Sequence, residues 1–108
     1  MLRVPKTIKP KAEPLFSTYI IDKTHTKEIT TVMHKIITGR RGKDAVLIIV
    51  CAIELGIITR LPYLAAKKEF PSVGGRSNYN KYLSDGFLGS EKEPIKQLFK
   101  KRLPQLFS

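Results

Sequence analysis

The sequence predicts a mainly α-helical protein, a small helical bundle that contains a helix-turn-helix and begins with a short extended segment. Three observations point there. Ile29, Val32, Met33, Ile36 and Ile37 fall at i, i+3, i+4, i+7 and i+8, one apolar stripe of an amphipathic helix. Ala45 to Ile53 then runs without a polar residue and is followed by Gly56, which describes a helix buried nearly all round. Finally, the turn Pro71-Ser-Val-Gly-Gly75 leads into Arg76–Leu83, where Tyr79, Tyr82 and Leu83 form an inward stripe.

The elements follow in order. Residues 1–14 place Arg3, Lys6, Lys9 and Lys11 among Pro5, Pro10 and Pro14, a composition that stays extended and packs no core. They read as a flexible basic arm, and 15–108 as one helical domain with the helix-turn-helix at about 45–84. Leu15 to Ile21 is aromatic and β-branched, which suits a short strand or an extended segment on the core. The first helix starts at Thr24 or Thr26 and is closed by Gly39 as its C-cap. Gly39-Arg40-Arg41-Gly42-Lys43 makes a sharp basic turn, and Asp44–Leu55 is the central helix.

A third helix opens at Leu61-Pro62, where a missing N–H is harmless, and ends at Phe70-Pro71. Leu61, Leu64 and Ala65 are its apolar side; Lys68 and Glu69 are its charged side. Ser77 is the N-cap expected for the helix that follows. After Asp85-Gly86, Ser90-Glu91-Lys92-Glu93 has the form of a capping box. Ile95, Leu98, Phe99 and Leu103 give the last helix its apolar face, Pro104 stops it, and Lys96, Lys100, Lys101 and Arg102 lie on or near its polar side.

Charge narrows the partner. With 20 Lys+Arg against 9 Asp+Glu, the net charge is +11, which favours encounter with a phosphate-rich polymer or an anionic surface. Cys51 is the single cysteine, so no internal disulfide forms, and its apolar surroundings make it an inert thiol of a reducing compartment. The arm lacks the apolar core of a secretory signal, and the longest apolar run is far short of the roughly 20 residues that span a bilayer. A cytoplasmic protein without a membrane partner is expected.

Catalysis is not. His25 and His34 have no Cys or carboxylate at metal-ligand spacing, and no nucleophile–base set or nucleotide-binding Gly-rich loop is present. Gly39 to Lys43 is not a Walker A loop, because only two residues separate its glycines. No metal or cofactor is expected.

The sharpest functional signal is the helix from Arg76. Arg76, Ser77, Asn78, Asn80 and Lys81 project from its opening or its outer face, and Arg and Asn are the side chains suited to guanine and adenine edges or to phosphate. Arg40, Arg41 and Lys43 form a phosphate seat at a helix N-terminus, and Lys9 and Lys11 add a strap of the kind basic arms provide. The expected partner is double-stranded DNA. Two other readings stand beside it. Gly39 to Gly42 fits the GXXG clamp that grips an RNA backbone in KH domains, although helical spacing follows it where that fold needs strands. Alternatively, the apolar helix and the terminal helix make the seam of a non-catalytic interaction protein or homodimer.

From Asp44 to about residue 106 the order of features resembles the C-terminal part of RteC-like regulators of Bacteroides conjugative transposons. The shared features are a buried helix ending in Leu55-Gly-Ile-Ile58, a second ending at Glu69-Phe70, then Tyr79-Asn80-Lys81-Tyr82-Leu83 and a terminal Leu/Phe helix. The resemblance implies a winged-helix-like domain that binds DNA to regulate transcription or the excision and transfer of a mobile element. The chain departs from that pattern in lacking most of the N-terminal domain. It also lacks the basic stretch before the last helix, where Gly86 to Glu91 is acidic and glycine-rich.

Overall fold

A helix with no polar face has to be covered on every side, and that requirement organises the bundle. A computed structural model of the chain describes residues 15–107; the basic arm, with Lys9 and Lys11, lies outside them. In α2 (Lys43–Glu54), Ala45, Val46, Ile48, Ile49, Cys51 and Ala52 are wholly buried. The cover comes from α1 (Thr26–Ile37), α4 (Arg76–Asp85) and α5 (Gly89–Arg102), which all pack against it. The short α3 (Tyr63–Glu69) packs on α4 and on the turn between them. The fold is thus the mainly helical bundle that the apolar spacing predicts.

The amphipathic stripes of α1, α4 and α5 land where they should, whereas Leu64, expected on the apolar side of α3, is 57% exposed, and Ala65 and Ala66 are the residues that this helix buries. Ile29, Met33, Ile36 and Ile37 of α1 are buried, as are Tyr79 of α4 and Ile95 and Phe99 of α5. Leu55 to Pro62 links α2 to α3, and Pro62 is the N-cap of α3, one position before the helix begins. The α3–α4 connector, Phe70 to Gly75, contains the 3-10 turn Pro71–Val73 and is longer than the tight turn of many helix-turn-helix units.

Several local expectations are corrected. Leu15–Ile21 is not a strand: Phe16–Tyr19 forms a 3-10 turn, and only Ile20 makes an isolated antiparallel bridge, to Ile58. The side-chain pattern nevertheless reported burial, since Phe16 and Ile20 lie in the core. The N-cap of α4 is Gly75 and not Ser77, because the helix already begins at Arg76. The N-cap of α5 is Leu88 and not Ser90, with Glu91 Oε1 accepting from the Leu88 N–H at 2.9 Å. A glutamate three residues beyond the cap does the same work at either position, so the motif marks the helix start only to within two residues. Pro104 follows α5 as expected, whereas Pro94 lies inside it. Gly86 to Leu88 alone joins α4 to α5, and among the described residues there is no strand, so no wing follows α4.

Burial sets the chemistry of Cys51. Its thiol pKa is pushed up to about 11 by desolvation, and its Sγ lies 3.6 Å from the Lys92 carbonyl oxygen. The thiolate is the reactive form, so this cysteine is chemically quiet in the folded chain.

One carboxylate ties α5 to the end of α2. Lys92 Nζ and Lys96 Nζ, one turn apart, approach Glu54 Oε2 and Oε1 at 2.7 and 2.8 Å. Hydrogen bonds from Lys92 first and Lys96 second hold the Glu54 carboxyl below its usual range, and Glu54 in turn raises the Lys96 pKa. A depressed carboxylate contributes stability above its unfolded pKa and loses it as pH falls through the folded value. Glu54→Gln should therefore flatten the acid limb of stability against pH and cost under about 1 kcal/mol at neutral pH, because solvent screens the pair. Urea unfolding at neutral pH and below the glutamate range checks this; a parent-like acid limb in the variant would exclude the ion pair as its source.

Candidate nucleic-acid interface

The helical period of α4 sorts its residues by face. Tyr79 is fully buried, Tyr82 and Leu83 are half-buried, and Arg76, Ser77, Asn78, Asn80 and Lys81 are exposed. Tyr79 anchors the helix: its hydroxyl donates to the Leu61 carbonyl at 2.6 Å, linking α4 to the residues that open α3. Burial raises the Tyr79 pKa well above the ordinary phenol value, so the group remains a donor.

Tyr63 and Lys67 of α3 aim the start of α4. Arg76 Cζ lies 5.1 Å from the Tyr63 ring centroid, an arrangement in which a guanidinium is attracted to the ring face. Tyr63 itself is held edge-on to Tyr79 at 5.6 Å and donates its hydroxyl to the Gly74 carbonyl at 2.9 Å. Lys67, one turn further along α3, donates to the carbonyls of Pro71 and Gly74 at 2.9 and 3.3 Å. These bonds occupy carbonyls of the connector and fix the path of the chain into α4.

The basic turn comes to the same place. The Gly42 N–H donates to the Ser72 carbonyl at 2.6 Å, which docks the α1–α2 turn on the α3–α4 connector. Gly42 has φ +51 and Gly74 has φ +86, backbone that a side chain disfavours, and a Cβ on Gly74 would lie 3.6 Å from Gly42 Cα. The Cβ contact would be an ordinary one, so it is the positive φ of each turn, and not lack of space, that calls for glycine at this junction. Lys43 reaches over α4 with its Nζ 5.8 Å from the Tyr82 centroid and 5.7 Å from that of Phe87.

The predicted residues therefore converge unequally. Arg41 is exposed beside the connector that leads to Arg76, Lys43 is exposed at the far end of α4 over Tyr82 and Phe87, and Asn78, Asn80 and Lys81 lie along α4. Arg40 departs from its expected role: its Nε donates to the Ile36 carbonyl at 2.8 Å, so it is half-buried as a cap on the end of α1. Tyr63, Lys67 and Ser72 were missed. Tyr63 and Lys67 stand at i and i+4 on α3, a spacing that faces two side chains toward one neighbour, but nothing local named the Gly74 carbonyl as their target.

Among the described residues, no group of three or more His, Cys, Asp or Glu could hold a metal ion, and no helix is long and apolar enough to cross a membrane. The apolar surface of α2 is spent within the chain, because α1, α4 and α5 already cover that helix. No model of a known protein family, no curated protein and no solved structure matches the chain.

The junction predicts a stability effect. Gly74→Ala should cost about 1–3 kcal/mol through backbone strain, and Tyr79→Phe about 1–3 kcal/mol because the Leu61 carbonyl loses its buried donor. Chemical denaturation reads both as lower midpoints at an unchanged slope. A Gly74→Ala midpoint equal to the parent's would mean that the connector can enter α4 by another backbone path.

Proposed function

We propose that the chain is a non-catalytic DNA-binding protein of helix-turn-helix type that acts in the cytoplasm, with α4 as the helix that enters a major groove. The observation that carries this reading is the docking of Gly42 on Ser72, which brings the exposed Arg41 beside the connector that opens a helix bearing Arg76, Asn78, Asn80 and Lys81, while Lys43 reaches the far end of that helix at Tyr82. With its side chains an α-helix is about 10–12 Å across, which matches the roughly 12 Å width of the B-form major groove. Arg76 and Asn78 contact base edges, while Arg41 and Lys43 hold flanking phosphates. Stacking on Tyr63 pre-orients Arg76 and lowers the entropy cost of binding.

A role in regulating transcription or a mobile element rests on the resemblance of residues 44–106 to RteC-like regulators and on no other observation. RNA gripping by the Gly39–Gly42 turn is less well supported, since Arg40 is folded back on α1 and Gly42 is engaged by Ser72.

The test is fluorescence-anisotropy titration of random duplex DNA and a matched single-stranded RNA at low and physiological salt, followed by selection of a preferred duplex. Affinity for duplex should fall steeply with salt. Arg76→Ala and Asn78→Ala should each cost about 1–3 kcal/mol on the selected site and less on random duplex, whereas Arg41→Ala with Lys43→Ala should weaken both alike and reduce the salt slope by about 1 for each phosphate that is no longer neutralised. Unchanged sequence preference in the Arg76 and Asn78 variants would remove α4 from base readout. Absence of duplex binding at low salt would end the DNA reading, and preference for the RNA would transfer the function to the Gly39–Gly42 turn.

A further inference from the structure

A second surface lies between α1 and the end of α5. Two cavities of about 390 and 460 Å³ share Val32 and Arg102 among their lining residues and so adjoin, and together they make a groove. Its floor includes the half-buried Val32 and Leu98, which pack on the core with part of each side chain still exposed. Its rim carries Lys27 and Lys35 from α1 and Lys101 and Arg102 from α5, all exposed. Glu28 is the one acidic residue lining it. None of the four cations pairs with a carboxylate among the described residues.

We propose that this groove docks an acidic amphipathic helix of a partner protein. A helix in a groove anchors apolar residues at i, i+3, i+4 and i+7 and places polar ones along the flanks. Here the flanks meet ammonium and guanidinium groups that no carboxylate among the described residues neutralises, so carboxylates on the incoming helix complete the surface electrostatically. Lys27 and Lys35 are eight residues apart, so the rim on α1 runs for about 12 Å, a little over two helical turns. That length accommodates two successive anchors of a peptide helix.

Other occupants fit less well. A second copy of the chain related by a two-fold axis would bring the same cations face to face. The chain's own residues 1–14 carry Arg3, Lys6, Lys9 and Lys11 against Glu13, a charge that the rim repels. A nucleic-acid backbone would satisfy the rim but leave Val32 and Leu98 without an apolar partner. The groove shares no residue with α4 or with the turn Gly39–Lys43, so this proposal stands apart from the DNA reading.

The probe is a fluorescein-labelled synthetic peptide with Leu at i, i+3, i+4 and i+7 and Glu at the flanking positions, titrated against the full chain at physiological salt. A control peptide carries Gln for each Glu. Saturable binding of the Glu peptide is expected, with affinity reduced roughly tenfold both for the Gln control and for the variant Lys35→Ala/Lys101→Ala. A second variant, Lys27→Ala/Arg102→Ala, repeats the test should the first fold poorly by circular dichroism. In the same buffer, duplex DNA affinity should drop less for either groove variant than for Arg41→Ala/Lys43→Ala, which removes the same charge. Equal binding of the two peptides, or no saturable binding of either, would overturn the proposal. An equal loss of DNA affinity in the groove variants would also overturn it and assign the rim to nucleic acid.

Discussion

Covering α2 is the constraint on which the other positions depend. Between Ala45 and Ile53 this helix offers no side chain that gains from water, and leaving one face bare would expose several large aliphatic groups at about 25 cal/mol per Å². Three helices are needed to enclose it, and α1, α4 and α5 are the long amphipathic helices available. Each turns its apolar stripe inward, and the polar remainder of each necessarily faces out. The exposure of Arg76, Asn78 and Asn80 on α4 is thus a consequence of Tyr79 seeking the core beside α2.

Enclosure alone would leave the two connectors loosely placed, and polar bonds supply the remaining precision. The Tyr79 hydroxyl on Leu61, the Tyr63 hydroxyl on Gly74 and the Gly42 N–H on Ser72 each satisfy a backbone carbonyl in or near a turn. Unsatisfied carbonyls at such positions would carry a desolvation penalty wherever water is excluded. Through these bonds a short helix, α3, acts mainly as a bracket: it carries the tyrosine under Arg76 and the lysine that binds the connector. Glu54 performs a related task at the opposite end of α2, drawing two lysines of α5 onto one carboxylate.

The helices were legible because their information is local and redundant. Ile29 to Ile37 repeats its spacing over two turns, so an error at one position cannot erase the stripe, and Ala45 to Ile53 is unmistakable as buried. The caps were less legible. Ser77 and Ser90 are good N-cap residues by chemistry, yet the helices begin earlier, at Arg76 and Gly89, so Gly75 and Leu88 hold those positions and a capping preference alone does not fix the boundary. Leu15–Ile21 has the composition of a strand, but a strand needs a partner over several residues, and only Ile58 is offered. Among the site residues, Arg40 illustrates the same limit: three cations in a turn look alike in sequence, and only the path of the chain decides that one folds back onto Ile36.

By itself, then, the sequence determined which segments are helical, which of their faces are apolar, and that the exposed surface is strongly cationic. These are properties of residue type and period, and they survive any rearrangement of the helices. Only the tertiary structure decided that the Gly39–Lys43 turn lies beside the connector to α4, that Tyr63 sits beneath Arg76, and that α1 and α5 leave a cationic groove between them. Each of these joins residues far apart in the chain, and such pairings arise from the shared requirement to enclose α2, which no local pattern encodes.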